Sequence, residues 1–340
     1  MKLAVINSGS SSLKFKLFDM DDESVVYEIN LEEIDSHVDA LNKVIEELKK
    51  IGISFYDLDA VGHRVVHGGE KFDKATLVTD EVIKEIDRLS LLAPLHNPAN
   101  LQGIISVSHI APNLKQYAIF DTAFHTTMPE EAYMYALPYE MYEKYGIRRY
   151  GFHGTSHFYI AKEAAKKLNK PLDELNIISM HLGNGESICA IENGKSIDTS
   201  MGFTPLEGLV MGTRSGDIDP AIVLYLQRTL GYDVNEMDNI LNKKSGLKGI
   251  CGKSDVREII ASDDEKSKLA LDMMVRRVRK YVGAYMSLMQ RVDALVFTGG
   301  IGEHSEYIRD RIAKNISVKN IFVIDTNEEL EIARQIIYKK

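Results

Sequence analysis

Three short apolar segments, each followed directly by a turn rich in glycine, serine or asparagine, constrain the fold of this chain most strongly. The turns lie in residues 7–12 (NSGSSS), 181–187 (HLGNGES) and 297–303 (FTGGIGE). Glycine lets the backbone approach a ligand closely, and the N–H groups of such a turn suit a phosphate. None of the three follows the patterns G-x-x-x-x-G-K-[ST] or G-x-G-x-x-G. They therefore indicate phosphate binding without a P-loop or a dinucleotide fingerprint.

Strand and helix patterns alternate along the whole chain. We predict strands at 3–6, 13–18, 117–121, 176–182, 187–199 and 293–298, with a hairpin turn at Asn193 and Gly194. We predict helices at about 37–50 after Ser36, about 80–92, from Ser156 to before Pro171, about 265–290, and from Thr326, where Thr326 and Glu329 form a capping-box pattern. This alternation favours an α/β fold over separate all-α and all-β parts.

Length, charge and cysteine content limit the class of protein. The 340 residues suggest two domains, with a boundary near 148–155. The formal net charge of -9 argues against a nucleic-acid binder, which needs a basic surface. Cys189 and Cys251 are too far apart for a Cys-x-x-Cys site, and neither a signal peptide nor a membrane-spanning apolar run occurs. These features predict a cytoplasmic protein.

Three cationic side chains are candidates for binding an anionic substrate. Arg64 lies among apolar residues in GHRVVHGGE, and Arg214 lies in the polar loop MGTRSGDIDP. The planar guanidinium suits carboxylate or phosphate, although a structural ion pair is the alternative for either arginine. Val66 and Leu95 indicate a small apolar pocket around Arg64. Lys14 adds a cation to the first turn, for which a polar hairpin loop is the alternative.

Histidines and carboxylates supply further candidates. His153 and His157 are four residues apart, a spacing that also occurs in helical zinc sites, but no HExxH motif accompanies them. Asp121 ends a predicted strand and Glu328 lies in the first turn of a predicted helix, where carboxylates can hold Mg²⁺ mostly through water. For Glu328 the alternative is interaction with the helix dipole. Nothing in the spacing of Asp121 and Glu328 brings them together.

Nine segments, in order and from end to end of the chain, resemble the signatures of the acetate kinase family. They are NSGSSSLKF, GHRVVHGGEKF, LAPLHNPANL, FDTAFHTTMP, RRYGFHGTSH, HLGNGESI, SMGFTPLEGLVMGTRSGDIDP, FTGGIGEHS and TNEELEIAR. Motifs of this length and number make chance agreement negligible. The chain departs from the family pattern in being shorter at about 28–37 and 311–321, and in carrying Val256 where an aromatic residue often stands.

The resemblance implies a fold of the actin, Hsp70 and sugar-kinase superfamily, which is ribonuclease H-like, with two α/β domains of duplicated type that flank a cleft. It implies an N-terminal domain at 1–150, joined by the C-terminal helix at 326–340, and a nucleotide-binding domain at 151–325. It also implies a homodimer with neither nucleic acid nor a membrane as partner. The implied reaction is reversible, Mg²⁺-dependent phosphoryl transfer, with Mn²⁺ as a substitute metal, between ATP and acetate to give ADP and acetyl phosphate by direct in-line attack.

The resemblance also implies roles for single residues. Arg64, Asp121, His153 and Arg214 would be catalytic, with His96 and His181 near the transferring group. Contacts to the nucleotide and its phosphates would come from Asn7, Ser10, Ser12, Lys14, His181, Asn184, Gly185, Asp255, Val256, Arg257, Gly300, Ile301 and Gly302. Asn7 and Glu328 would serve the metal.

The implied acyl pocket consists of Arg64, Val66, Leu95, Phe152 and Pro205. Relatives that prefer propionate carry a smaller residue at the position of Val66, so valine favours acetate. One methylene group discriminates by only about 1–3 kcal/mol, so propionate should remain a poorer substrate. A kinase for propionate or another short-chain acid is the alternative within the family. A non-catalytic nucleotide sensor is the alternative of another class, and the intact set of Arg64, His153 and Arg214 argues against it.

Overall fold

A computed structural model of the chain describes residues 1–94 and 96–338, which form two compact units. The first unit contains residues 1–126, 154–156 and the chain from Asn327 onward, and the second contains 127–153 and 157–326. Residues 127–150, which the sequence analysis assigns to the first domain, thus pack with the second unit. The C-terminal helix belongs to the first unit.

Strands and helices alternate along the described residues. The strands are β1 (Lys2–Ser8), β2 (Ser12–Asp19), β3 (Ser24–Glu32), β4 (Ala60–Val65), β5 (Thr76–Leu77), β6 (Gln116–Phe120), β7 (Asn176–Leu182), β8 (Glu186–Glu192), β9 (Lys195–Thr199), β10 (Ala294–Thr298) and β11 (Asn320–Val323). The α-helices are α1 (His37–Lys50), α2 (Asp80–Leu89), α3 (Asn97–Ile110), α4 (Glu130–Tyr133), α5 (Glu140–Tyr145), α6 (Gly154–Leu168), α7 (Pro220–Leu230), α8 (Val234–Lys243), α9 (Gly246–Cys251), α10 (Val256–Ile260), α11 (Glu265–Leu288), α12 (Gly299–His304), α13 (Glu306–Ala313) and α14 (Glu328–Tyr338).

Each unit is built on one sheet, and the two sheets share a strand order. In the first unit the order is β3-β2-β1-β4-β6-β5, with β1 to β3 antiparallel and β4 and β6 parallel to β1. In the second unit the order is β9-β8-β7-β10-β11, again with three antiparallel strands followed by two parallel ones. This repetition confirms the predicted α/β architecture of duplicated type.

Local sequence accounts for most of these elements. Leu13, Phe15 and Leu17 alternate along β2 and are at most 1% exposed, because side chains of a strand point to alternate faces. Ser36 accepts the N–H of Asp39 at 3.4 Å and so begins α1 where predicted. The predicted hairpin turn joins β8 to β9.

Three predicted helix ends are wrong. Helix α6 begins at Gly154 rather than after Ser156, because the N–H of Gly154 donates to the carbonyl of Asp121 at 2.9 Å. Helix α14 begins at Glu328 rather than directly after Thr326, because the side chain of Asn327 accepts the N–H of Leu330 at 3.1 Å. Helix α2 ends at Leu89.

Apolar cores lie between the sheets and their helices. In the second unit Met274, Val278 and Val282 of α11 pack with Ile178 of β7 and Phe297 of β10, and all five are fully buried. In the first unit α1 and α3 cover β1, β2 and β4. Among the described residues, no helix combines the length and the hydropathy that crossing a bilayer would require.

Candidate active site

A cavity of about 390 Å³ lies at the carboxyl ends of β1 and β4 in the first unit. Six of the predicted residues line it, namely Asn7, Ser12, Lys14, Arg64, Val66 and His96. Asn30, Glu32 and Asn100 also line it, although no sequence signal singled them out. Because β1 and β4 are parallel neighbours, the residues at their carboxyl ends meet at one sheet edge, where α/β proteins commonly bind ligands.

The turn between β1 and β2 is closed by its own backbone. The N–H of Gly9 donates to the carbonyl of Ser12 at 2.9 Å. A Cβ on Gly9 would lie 2.5 Å from Ser12 Oγ, so another residue would force the turn to shift. Ser10 is exposed at the tip of the turn. The turn therefore presents hydroxyl and backbone groups at the edge of the cavity.

Two buried asparagines at the start of α3 hold the backbone around this cavity. Asn100 accepts the N–H of Val66 at 3.0 Å and donates to the carbonyl of Ser8 at 2.7 Å. Asn97 accepts the N–H of His67 at 3.0 Å and donates to the carbonyl of the same residue at 3.0 Å. Buried backbone groups need such partners, so the two amides fix the chain after β1 and β4.

Arg64 is already bound by a protein carboxylate. Its Nη2 donates to Asp121 Oδ2 at 2.6 Å and its Nε donates to Oδ1 at 3.0 Å, while Glu328 Oε2 lies 3.6 Å from Nε. Burial alone lowers the pKa of Arg64, but the charges of Asp121 and Glu328 outweigh burial and raise it. Burial raises the pKa of Asp121, and Arg64 offsets part of that rise. Within the described residues, Nη1 of Arg64 makes no hydrogen bond, so one edge of the guanidinium is available to a ligand.

Lys14 is also paired. Its Nζ lies 3.1 Å from Oε1 of Glu329 in the first turn of α14. Burial raises the pKa of Glu329, but the charges of Lys14 and Lys16 outweigh burial and lower it. A phosphate that is to bind Lys14 must therefore compete with Glu329 or share the ammonium group with it.

In the second unit, His153 has a strained backbone directly before α6. Its φ and ψ are 56° and 22°, a left-handed conformation that few residues other than glycine and asparagine adopt. Strain of this kind concentrates at functional sites. Its Nδ1 lies 2.8 Å from Ser187 Oγ, and its ring stacks on that of His181 with centroids 4.3 Å apart. His153 and His181, both predicted to lie near the transferring group, are therefore in direct contact with each other.

Arg214 differs from Arg64 because it has no carboxylate partner among the described residues. Its Nη1 donates to the carbonyl of Pro205 at 2.7 Å. A Cβ on Gly185 would lie 2.8 Å from Nη2 of Arg214, so the glycine lets this side chain approach the turn, while Cε1 of His153 would stand at an ordinary contact distance of 3.7 Å. Burial lowers the pKa of Arg214, and Glu186 offsets part of that shift. Since arginine stays charged in proteins, a partly buried cation is left for an anion.

Glu186 is a buried acid that the sequence analysis missed. It is fully buried, and neither carboxyl oxygen has a hydrogen-bond partner among the described residues. Burial raises its pKa well above the ordinary range, and Arg214 opposes that rise only in part. The carboxyl group of Glu186 therefore stays protonated at pH values above its ordinary pKa. The alternation of β8 carried the signal, because Glu186 shares a face with Ile188 and Ala190 of the apolar core.

The two glycine-rich turns of the second unit meet at one edge of its sheet. Thr298 at the end of β10 pairs with His181 of β7. Gly299 has a φ of 75°, and a Cβ there would lie 2.7 Å from the carbonyl oxygen of Leu182. The positive φ and the close approach both require glycine at this position.

Helix α12 begins directly in the second of these turns. Gly300 is exposed, Ile301 is partly buried and Gly302 is buried. From the first turn, the carbonyl of Asn184 accepts the N–H of Gly212 at 3.4 Å, which joins it to the loop that contains Arg214. The predicted phosphate contacts Asn184, Gly185 and Gly300 thus lie on neighbouring turns.

Of the predicted adenosine contacts at α10, Asp255 and Arg257 form an ion pair, whereas Val256 is buried. Asp255 caps the helix and accepts a forked pair of hydrogen bonds from Arg257 at 3.0 and 2.6 Å. The Arg257 hydrogen bond lowers the pKa of Asp255 to about 2. Val256 is 4% exposed and packs in the apolar core, so its side chain is not positioned to stack on a base.

The predicted acyl-pocket residues fall in both units. Val66 is 8% exposed and lines the cavity of the first unit. Phe152 is buried in the second unit, where Pro205 is bound to Arg214 through its carbonyl. Leu95 lies outside the described residues.

Oxygen donors in the first unit fit a weakly held Mg²⁺. Asp121 and Glu328 both contact Arg64, and Asn7 lines the cavity that Arg64 lines. Among the described residues, no cluster of three or more His, Cys, Asp or Glu side chains is arranged to coordinate a metal ion. Mg²⁺ in phosphoryl-transfer enzymes is usually held by one or two carboxylates, waters and substrate phosphates, so this donor set suits it.

Comparison with known proteins gives consistent results. The sequence profile of the Acetokinase family matches residues 26–335. The acetate kinase of Sulfurimonas denitrificans is 51% identical, and the alignment covers 98% of both chains. That alignment has 380 positions against 340 residues in this chain, so the relative contains segments that this chain lacks.

Solved structures agree with the sequence relatives. A propionate kinase from Francisella tularensis has a TM-score of 0.93 and 42% identity, with 98% of each chain covered. The acetate kinase of Porphyromonas gingivalis has a TM-score of 0.92 and 39% identity, with 100% of each covered. The Lmo2764 protein of Listeria monocytogenes, named as a candidate N-acetylmannosamine kinase, has a TM-score of 0.51 and 14% identity, which shows the sugar-kinase fold alone.

Proposed function

The chain belongs to the acetokinase family, and from this premise we propose that it catalyses reversible phosphoryl transfer between ATP and acetate. The products in one direction are ADP and acetyl phosphate. The observation that carries the proposal is the position of Arg214, a partly buried cation without a carboxylate partner among the described residues, against the Gly185 turn that His153 also approaches. An anion with several oxygens, such as a phosphoryl group, suits this arrangement.

The chemistry proposed is a direct in-line displacement. An oxygen of acetate attacks the γ-phosphorus, the bond to the oxygen of ADP breaks, and no covalent enzyme intermediate forms. Negative charge spreads over the equatorial oxygens, so catalysis consists mainly of positioning and electrostatic stabilisation. Arg214 and His153 would stabilise those oxygens. Asn184, Gly185 and Gly300 would bind the nucleotide phosphates through the two turns.

Residues of the first unit would bind the acid and support the metal. The open Nη1 edge of Arg64 suits a carboxylate, and Asp121 orients that guanidinium through its fork. Val66 would contact the methyl group of acetate. Asn7 and Glu328, with Asp121, would hold Mg²⁺, which when bound neutralises charge on the phosphates.

We further propose a homodimer in the cytoplasm. Helix α7 supports the dimer, because none of its residues is buried although it is largely apolar. Ile222, Leu224 and Tyr225 are 45%, 50% and 61% exposed. An apolar helix face of this kind is typical of a surface that a partner covers. Within the described residues Cys189 and Cys251 form no disulfide, which suits a reducing compartment.

Propionate is the second candidate substrate, because the propionate kinase of Francisella tularensis has so similar a structure. Val66 at the wall of the cavity favours the smaller acid. One additional methylene group changes binding by about 1–3 kcal/mol, so propionate should react more slowly than acetate, not fail to react.

Trapping the acyl phosphate with hydroxylamine tests this proposal. ATP, Mg²⁺ and each of acetate, propionate and butyrate are supplied in turn, and the hydroxamate is measured. We expect Mg²⁺-dependent product with acetate, less with propionate and least with butyrate. A faster reaction with propionate would select the second candidate. Binding of ATP without hydroxamate from any acid would indicate a non-catalytic nucleotide sensor instead.

A further inference from the structure

Four buried or half-buried side chains of the second unit form a continuous chain of hydrogen bonds. We name it the histidine–serine chain, and its members are His153, Ser187, His157 and Ser179. His153 Nδ1 lies 2.8 Å from Ser187 Oγ, Ser187 Oγ lies 2.7 Å from His157 Nε2, and His157 Nδ1 lies 2.7 Å from Ser179 Oγ. Ser187, His157 and Ser179 are fully buried. His153 is the member that the proposed function places at the phosphoryl group.

The sheet explains why these groups meet. Ser187 of β8 pairs with His181 of β7, and Ser179 lies two residues before His181 on the same strand. Because side chains alternate along a strand, Ser179 and Ser187 project from one face of the sheet. Helix α6 contributes His157 to that face. The opposite face carries the apolar core, which includes Met180 and Ile188.

When both rings are neutral, the number of hydrogens allows only two arrangements of donors and acceptors along the histidine–serine chain. We call them the first and the second direction of hydrogen-bond donation. Each serine hydroxyl donates one hydrogen, and each neutral imidazole carries one hydrogen on one nitrogen. In the first direction His153 Nδ1–H donates to Ser187, Ser187 donates to His157, and His157 Nδ1–H donates to Ser179. In the second direction Ser179 donates to His157 Nδ1, His157 Nε2–H donates to Ser187, and Ser187 donates to His153 Nδ1.

The end of the chain at Ser179 distinguishes the two directions. Ser179 is fully buried, and its hydroxyl has no hydrogen-bond partner other than His157 in the part of the chain that the structure describes. In the first direction this hydroxyl would accept a hydrogen bond while its own hydrogen had no acceptor. A buried donor without an acceptor costs free energy, whereas in the second direction the one hydrogen that finds no acceptor within the histidine–serine chain is on Nε2 of His153, which is half-buried rather than fully buried. The second direction is therefore favoured.

We propose that Ser179, His157 and Ser187 are positioning residues that keep the hydrogen of neutral His153 on Nε2. The ring then offers an N–H donor at Nε2, the nitrogen opposite Ser187, to an oxygen of the transferring phosphoryl group. In the other tautomer Nε2 would carry a lone pair, which repels a phosphoryl oxygen. This inference rests on the proposed function for the role of His153, but the tautomer itself does not depend on activity.

Nitrogen NMR of histidine-labelled protein reads the tautomer directly. Ring nitrogens with and without hydrogen have well separated ¹⁵N shifts, and couplings to the ring carbon-bound hydrogens tell Nδ1 from Nε2. Signals of His153 and His157 are assigned from the spectra of His153→Gln and His157→Gln. In the unaltered protein at neutral pH we expect hydrogen on Nε2 of both rings. A His153 ring with hydrogen on Nδ1, or on both nitrogens, would overturn the proposal.

Ser179→Ala tests whether the hydroxyl of Ser179 determines the tautomer of His153 through the hydrogen bonds between them. This change does not touch His153, but it removes the hydroxyl whose hydrogen favours the second direction. We expect the His153 signals to shift toward a mixture of tautomers and kcat to fall roughly twofold, in proportion to the competent fraction. Ser179→Thr keeps the hydroxyl and should keep the unaltered spectrum. An unchanged His153 spectrum in Ser179→Ala would overturn the proposal.

Ser187→Ala removes the direct partner of His153. We expect kcat to fall about 10- to 100-fold, by analogy with the loss of a partner that orients a metal-ligating histidine, with KM for ATP nearly unchanged. Ser187→Thr should restore most of kcat. Ser196→Ala is the matched control, because Ser196 is an equally buried serine of the same sheet whose hydroxyl contacts Cys189 instead. A restored kcat in Ser187→Thr without the Nε2 tautomer would contradict the proposal.

These measurements separate this inference from the proposed function. If the unaltered protein makes no acyl phosphate but shows the expected tautomer and its change in Ser179→Ala, the proposed function fails and the histidine–serine chain stands. If it makes acyl phosphate but His153 carries hydrogen on Nδ1, the inference fails and the function stands.

Discussion

At the scale of single residues, the two predicted arginines have different surroundings. Arg64 is held by Asp121 and approached by Glu328, so most of its charge is already balanced by protein groups. Arg214 donates only to a carbonyl among the described residues, and burial raises the pKa of the nearby acid Glu186 well above its ordinary value. Arg214 is therefore the stronger attraction for an added anion, and Arg64 is the better oriented of the two.

Arg214→Ala should lower kcat by about 10²–10³, because a preorganised donor to the transition state is lost. Arg214→Lys should restore little of this, because lysine keeps the charge but lacks the planar fork. Arg88→Ala is the control, since Arg88 forms an exposed pair with Glu85 on α2. Steady-state rates of acetyl phosphate formation check this prediction, and turnover of Arg214→Ala near that of the control would remove Arg214 from the mechanism.

Glu186 predicts a pH dependence of stability with a defined sign. Its folded pKa is raised, so above the ordinary carboxyl pKa of about 4.3 the unfolded chain releases a proton that the folded chain keeps. Stability therefore falls as pH rises, by up to about 1.4 kcal/mol per pH unit until the folded pKa is reached. Glu186→Gln lacks this dependence. Urea unfolding of both proteins over a pH series checks this prediction. The glutamine variant should become increasingly more stable than the unaltered protein as the pH rises. A difference in stability that does not change with pH would refute the role given to Glu186.

Sequence reasoning found the charged residues but not their partners. Arg64, Arg214 and His153 stood out because their residue types were unusual for their surroundings. The pairs Arg64 with Asp121 and Lys14 with Glu329 join residues far apart in the chain, and no local pattern encodes such a distance. Glu186 was readable from strand alternation, but it was overlooked beside the glycines that precede it.

At the scale of elements, helix α14 shows how packing positions a functional residue. Gly62 of β4 lies under this helix, and a Cβ there would stand 2.6 Å from Ile332 Cγ2 and 2.8 Å from Ile336 Cδ1. Glycine thus lets α14 lie directly on the sheet. Because Glu328 is the first residue of α14, the separation between this helix and the sheet determines the distance from Glu328 to Arg64.

Gly62→Ala should displace α14 and weaken both stability and activity. We expect a loss of about 1–3 kcal/mol in the free energy of unfolding, which is typical of overpacking, and a lower kcat as Glu328 moves. Gly283→Ala is the control, because Gly283 lies in helix α11 with nothing within 4 Å of the added Cβ, so it should be neutral or stabilising. Urea unfolding and rate measurements check both variants, and equal stability of the two would contradict this account of α14.

Elements with strong internal patterns were predictable, and helix ends set by tertiary contacts were not. The alternation of β2 and the serine cap of α1 are local features, so both elements were predicted correctly. The start of α6 depends on a hydrogen bond from Gly154 to Asp121, which is distant in sequence. Helices α7 to α10 have at most two buried residues each, so they lack the buried stripe that made the longer helices recognisable.

At the scale of the whole molecule, helix α7 determines the state of association that we propose. Its apolar side chains are exposed in the single chain, which is unfavourable in water unless a second copy covers them. The two units share a strand order, and both contain predicted site residues.

Leu224→Glu should convert a dimer into a monomer, because it puts a charge into the apolar surface of α7. Leu224 is 50% exposed in the single chain. Leu77→Glu is the control, because Leu77 is 47% exposed on β5 of the first unit and should not affect association. Light scattering after size-exclusion chromatography gives the mass of each variant. Unchanged mass in Leu224→Glu, with a dimeric unaltered protein, would exclude α7 as the interface.

The central claim is that this chain moves a phosphoryl group directly from ATP to a carboxylate. A single turnover with ATP that carries radioactive phosphorus at the γ position, acetate and Mg²⁺ tests it most directly. We predict that the label appears in acetyl phosphate at the rate at which ADP forms, without labelled protein at any time. Labelled protein that forms before acetyl phosphate and passes its label on, or label that appears only in inorganic phosphate, would contradict it.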